Sequence, residues 1–236
     1  MKSAVDFFRT RFKAAGTRAR AEYERAYMKS RLRFHGVDAA VIRTSCAEFV
    51  KANKDALDHD GVVAAVDTLY ATEWFDLHSA AIGVLERKRT LVVERDAEWL
   101  IGLVRRSGCW AHVDWLATKI VPHALPDKPA RMLRRWAGDE DFWVRRTALL
   151  AQLDELRAGG GDFALFGELA VPMLGEKEFF IRKAIGWILR DTSKRRPELV
   201  RDFVAEHGGA MSGLTFREAT RRLPDKMRKQ LAAVQS

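Results

Sequence analysis

The sequence has 236 residues, 47% of them hydrophobic, with 41 Lys and Arg against 32 Asp and Glu and a formal charge of +9. That hydrophobic fraction supports a buried core and excludes a disordered chain. Two cysteines, Cys46 and Cys109, and no Cys/His grouping at zinc-ligand spacing exclude a disulfide scaffold and a structural zinc site. No apolar run reaches the roughly 18 to 20 residues of a bilayer-spanning helix. The charged start is unlike a signal peptide, so a cytoplasmic protein is expected, one at the nucleoid if the source is bacterial.

In chain order, residues 1–33 carry ten basic side chains against three acids, and residues 4–12 repeat apolar positions with a helical period. The same period returns over residues 62–69, 80–85, 116–120, 148–156 and 181–189, and no segment alternates as a strand would. All six prolines follow residue 121, mostly between these segments or at their starts, where a missing amide costs a helix little. The run Gly159-Gly160-Gly161 predicts a turn, because each glycine inside a helix would cost roughly 1 kcal/mol. Further basic clusters stand at Lys194-Arg195-Arg196 and over residues 217–229.

The helix openings echo one another: Trp74-Phe75-Asp76, Trp110-Ala111-His112, Trp143-Val144-Arg145 and Phe180-Ile181-Arg182. From Phe75 to Trp110, Trp143 and Phe180 the steps are 35, 33 and 37 residues, close to the period of paired-helix repeats. The expected architecture is all-α: one α-solenoid domain over residues 1–236, of the HEAT, armadillo or tetratricopeptide kind, with basic helices over about 1–33, a repeat core over about 38–206 and a basic tail over about 214–236. A concave face lined with Lys and Arg would suit a duplex backbone, while solvated helix faces are the plainer reading of the charge. A membrane surface fits less well, because every amphipathic segment is needed for the core.

Three segments carry candidate chemistry. Trp110 and Asp114 lie four residues apart, so a helix puts an acid one turn from an aromatic plane. A packing tryptophan beside a surface acid is the competing account. Between Glu178 and Arg190 the apolar stripe is Ile181, Ala184, Ile185 and Ile188, which leaves Trp187 at its edge in line with Lys183 and Arg190. In Asp141-Phe142-Trp143-Val144-Arg145-Arg146, Trp143 is expected to pack and Arg146 to point into the groove.

These segments resemble the AlkD-type alkylpurine DNA glycosylases of the DNA alkylation repair family, HEAT-like helical-repeat proteins. The similarity runs from Tyr27-Met28-Lys29 to Phe216-Arg217-Glu218-Ala219 and is most specific from Glu178 to Arg190. The resemblance implies that Asp114 is the catalytic carboxylate, that Trp110 and Trp187 are aromatic walls around the lesion, and that Arg146 lies near the lesion's backbone. It also implies that Tyr27 belongs to the same groove and that Phe34-His35-Gly36-Val37 is the family's early loop. Lys183, Arg190 and Lys194 are expected to hold phosphates. The implied reaction is hydrolysis of the N-glycosidic bond of N3- or N7-alkylated purines in double-stranded DNA. It would be carried out by a monomer without metal, cofactor or membrane.

The residue types suit that reaction. Breaking the bond builds positive charge on the sugar, which a nearby carboxylate stabilises, and Asp114 could also position the attacking water. A cationic purine leaves readily without a second acid, and indole faces attract cations by roughly 0.5 to 2 kcal/mol. A non-catalytic repeat scaffold for DNA structures or proteins is the alternative. It would have no reason to set a carboxylate beside two aromatic faces in a phosphate-binding groove. An RNA-reading repeat would show a recurring base-reading pair, and none is visible.

Overall fold

In a computed structural model, residues 3–235 are described, so Met1, Lys2 and Ser236, at the ends of the basic segment and the tail, lie outside them. Among the described residues the chain forms fifteen α-helices joined by turns and short 3₁₀ segments, with no strand beyond a single bridge between Arg33 and Trp74. The all-α expectation holds. By their internal contacts the residues fall into two compact units, one ending at Leu125 and the other starting at Pro126.

The first unit contains α1 (Ala4–Ala15), α2 (Arg18–Met28), α3 (Ala39–Ala52), α4 (His59–Tyr70), α5 (Phe75–Arg87), α6 (Ala97–Ser107) and α7 (Trp110–Lys119). Their starts are written in the sequence: the side chains of Ser3, Thr17, Asp38 and Asp58 accept the backbone N–H groups of Asp6, Arg20, Ala40 and Gly61, satisfying donors a helix leaves open. Helix α5 is central, packing on α1, α3, α4 and α7, and it is buried from Phe75 to Leu85, its polar residues Asp76, His78 and Ser79 included. Helices α3 and α5 approach closely because Gly83 faces Cys46, where a Cβ would lie 2.7 Å from the sulfur.

The N-terminal segment is tied to α5 by aromatic and buried polar contacts. Phe34 stacks on Phe75 at 4.5 Å, His35 stacks on Trp74 at 3.8 Å, and Arg33 lies over the Trp74 ring at 4.5 Å. Asp76, 1% exposed, accepts the backbone N–H groups of His35 and Val37 at 2.6 and 3.3 Å. Gly36 sits between with φ +73°, and a Cβ there would stand 2.3 Å from the Thr17 carbonyl oxygen. Only glycine lets this loop seat the start of α2.

The second unit contains α8 (Ala130–Ala137), α9 (Phe142–Leu150), α10 (Leu153–Ala158), α11 (Phe163–Ala170), α12 (Phe179–Thr192), α13 (Pro197–His207), α14 (Gly213–Thr220) and α15 (Asp225–Leu231). Helix α12 is its hub, packing on α9, α10, α13 and α14. The predicted stripe Ile181, Ala184, Ile185 and Ile188 is fully buried. Gly159 and Gly161 have φ of +92° and +68°, which makes the predicted turn.

One expected helix is broken. The pattern over residues 148–156 is split between α9 and α10: Ala151 N–H still reaches Thr147 O, but Gln152 N–H shortens its reach to Leu149 O, and a new helix starts at Leu153. The four aromatic anchors open helices as the spacing predicts, with Phe75 and Trp110 at the first positions of α5 and α7, and Trp143 and Phe180 at the second positions of α9 and α12.

Candidate active site

In the first unit, α7 begins at Trp110 directly after Gly108, whose φ of +56° ends α6, and Cys109. The inner face of α7, His112, Val113, Leu116 and Ala117, is buried. That leaves Trp110 and Asp114 half-buried along its edge, one turn apart. His112 pins the helix: its ring stacks on Phe75 at 4.2 Å and its Nε2 bonds the Ser79 hydroxyl at 2.8 Å. Burial, with some repulsion from His78, pulls the His112 pKa down to about 3, so the ring is neutral.

Trp110 does not face solvent alone. The Tyr27 ring meets it edge-on at 6.0 Å, and Tyr23 stacks parallel to Tyr27 at 6.2 Å, with the two tyrosines 58% and 69% exposed. An array of three aromatic rings, two of them open to solvent, therefore leads to the helix that bears Asp114. Beneath α2 lies a pocket of about 430 Å³ lined by Glu24, Met28, Phe75, Ser79, His112 and Trp115 among others. The indole N–H of Trp115 donates to Glu86 at 3.1 Å, which turns that ring away from free solvent hydrogen bonding.

In the second unit, Trp187 stands half-buried at the edge of the apolar stripe, as its position in the sequence predicts, and its Nε1 donates to Asp191 Oδ2 at 3.2 Å. The three expected phosphate-binding cations are on or beside the same helix and each has an acidic partner. Lys183 Nζ lies 2.7 Å from Glu218, Arg190 pairs with Glu218 and lies 3.8 Å from Asp191, and Lys194 Nζ lies 2.7 Å from Asp191. Burial pushes the Glu218 carboxyl up, but Lys183 and Arg190 outweigh it and hold the group below the usual carboxylate range.

Arg146 departs from expectation. Rather than pointing outward it is 2% exposed, its Nη1 donating to the carbonyl oxygen of Phe180, with the guanidinium carbon 5.8 Å from the Phe180 ring centre. It ties α9 to the first turn of α12. Its neighbour Arg145 is also engaged, with a two-bond contact to Glu176 at 3.1 and 2.9 Å. Trp143 packs as predicted, against Phe142 at 4.4 Å and Phe180 at 4.8 Å.

Sequence reasoning missed Tyr23, Asp191 and Glu218. Tyr23 is one turn before Tyr27 and Asp191 directly follows Arg190, so both had a local signal. Glu218 lies 28 and 35 residues from its two partners and had none. Among the described residues no group of three or more His, Cys, Asp or Glu could hold a metal ion, and no helix is long and apolar enough to cross a membrane.

The chain is a basic, all-helical protein whose helix openings recur at a near-constant interval, with a carboxylate one turn from an aromatic array. The sequence pattern of the DNA alkylation repair enzymes matches residues 8–223, and the chain belongs to that family. The solved structure of a predicted DNA alkylation repair enzyme from Enterococcus faecalis is similar over 89% of this chain and 98% of its own, with a TM-score of 0.78 at 24% identity, which is a likeness of fold. No curated protein matches.

Proposed function

We propose that this protein is a monofunctional alkylpurine DNA glycosylase on a HEAT-like helical-repeat scaffold, acting on cationic N3- or N7-alkylated purines in duplex DNA. The observation that carries the reading is the half-buried Asp114 one turn beyond Trp110, with the open rings of Tyr27 and Tyr23 beside it. Water adds to C1′ of the sugar while the bond from C1′ to the base nitrogen breaks. The bonding pair leaves on the purine, which becomes neutral, and the water gives up a proton. The Asp114 carboxylate opposes the positive charge that grows on the sugar, orients the water, or both. The aromatic face of Trp110 is offered to the cationic base, and Trp187 is assigned to aromatic contact with the substrate on the second unit by itself. Lys183, Arg190 and Lys194 are assigned to the DNA backbone, and Arg146 to holding the start of the Trp187 helix. Alternating helix contacts, α3 with α5 and α5 with α7, then α9 with α12 and α12 with α14, support the repeat reading.

The test is release of free 7-methylguanine and 3-methyladenine from methylated duplex DNA, with no metal added. Wild type should release both, and Asp114→Asn, which removes charge and little volume, should lose roughly 100-fold or more in rate while still binding the duplex. Normal release by the variant would remove Asp114 from the chemistry. Duplex binding without release by either protein would leave a non-catalytic DNA-binding scaffold as the function.

A further inference from the structure

The second unit holds a cavity of about 520 Å³ lined by five cations, one carboxylate and the Trp187 ring. The carboxylate is Asp191, 6% exposed, and both of its oxygens are occupied. Oδ2 accepts the Trp187 indole N–H at 3.2 Å and lies 3.1 Å from Arg157 Nε, an ion pair without hydrogen-bond alignment. Oδ1 lies 2.7 Å from Lys194 Nζ and 3.8 Å from Arg190 Nε. Burial pushes the Asp191 carboxyl up, and the bonds and charges of Lys194, Trp187 and Arg157 more than reverse this, so it is ionised at neutral pH.

Asp191, together with Glu218 on Arg190 and Asp154 at 3.3 Å from Arg157, still leaves the five cations of the lining in excess. Arg221 and Arg222, at the end of α14, are exposed, and Glu218 attracts Arg221 through its charge. An anion entering the cavity meets two forked guanidiniums, whose planar donors match phosphate oxygens in pairs, over a floor of charges already fixed in place. We infer that this cavity is a seat for one backbone phosphodiester of DNA, with Arg221 and Arg222 as its direct ligands. Asp191 is its positioning residue, holding Arg157, Lys194 and the Trp187 ring around the seat. The inference rests on the DNA-directed reading above and adds a geometric consequence to it: the phosphate and the indole are indexed to the same carboxylate, so seating the backbone fixes where the ring stands along the strand.

The experiment measures binding of an undamaged, labelled duplex across a chloride series, for wild type, Arg221→Gln/Arg222→Gln, and the charge-matched control Lys226→Gln/Lys229→Gln on α15. Thermal unfolding of each confirms folding, which substitution of exposed residues leaves intact. Loss of one phosphate contact should make the slope of log K against log salt shallower by about 0.9 in the seat variant and leave it unchanged in the control. An unchanged slope in the seat variant overturns the inference, and so does an equal change in the control, because net charge alone would then explain it. Binding of a 5′-mononucleotide that the seat variant loses while its duplex slope stays wild-type would assign the cavity to a free phosphomonoester and also overturn it. Base release is read separately. Release by wild type with no slope change in the variant removes the seat and leaves the glycosylase standing, and a slope change in a protein that releases no base does the reverse.

Discussion

Two histidines give the fold opposite responses to pH. His112 is held neutral by burial, its pKa pulled down to about 3. The unfolded chain, where histidine titrates near 6.5, therefore binds the extra proton, so the stability His112 contributes is present above about pH 6.5 and is lost as pH falls toward 3. His59 is the reverse case: bonds to Asp60 and Asp96 raise its pKa, so its contribution is complete below about pH 6.5 and fades as pH climbs through the raised value. His59→Gln should lower the melting temperature most at pH 5.5, with the gap to wild type closing by pH 8.5. A constant gap across a series of thermal melts would mean that the ring carries no charge. Tyr27, 58% exposed beside Trp110, makes a third case: Tyr27→Ala should change stability by no more than about 0.5 kcal/mol yet slow base release, and melts run beside the release assay separate the two effects. At this scale the sequence shows what depends on neighbours one turn away. Trp187 at the edge of its stripe and Trp143 in the packing are both readable that way. Arg146 is not, because what captures it is the carbonyl of Phe180 from another helix, and nothing in its own turn distinguishes it from Arg145.

Among elements, the packing of α12 on α14 depends on the missing side chain at Gly186. A Cβ there would lie 2.6 Å from the Cβ of Glu218, the residue that binds both Lys183 and Arg190. Gly186→Ala should therefore cost about 1–3 kcal/mol in denaturant unfolding, since the helices must part to admit it. It should also weaken DNA binding by loosening both cations. A destabilised variant with wild-type affinity would separate the helix spacing from the cation geometry. The helices themselves were largely readable, since their caps and the aromatic residues that open α5, α7, α9 and α12 are local signals. The break between α9 and α10 was not, because residues 148–151 continue the apolar period with no glycine or proline to mark the turn. That α12 serves as the hub of the second unit follows from contacts distant in sequence, which periodicity does not encode.

For the whole molecule the +9 charge is legible at once, but its distribution is not. Much of the basic surface is matched: Arg11 with Glu48, Arg18 with Glu22, and Arg134 with Glu168 form exposed pairs. Solvent and salt screen such pairs, so they contribute little to stability. Raising salt from 50 to 200 mM should therefore leave the melting temperature nearly unchanged while weakening duplex binding by a factor of about 10³ or more if six or more phosphates are contacted. A parallel loss of stability and binding would tie the fold to its surface charges instead.

The close approach of α3 and α5 has a chemical consequence for a member of an alkylation repair family. Cys46 packs against Gly83 at the wall of the pocket beneath α2 with no exposed surface, and burial drives its thiol up to about 12, so at neutral pH it is held as the thiol rather than the thiolate that methylating agents consume. Cys109, 2% exposed beside Trp110, has its thiol raised in the same direction, again mainly by burial. Burial therefore lowers the reactivity of both thiols toward the reagents whose damage the family repairs.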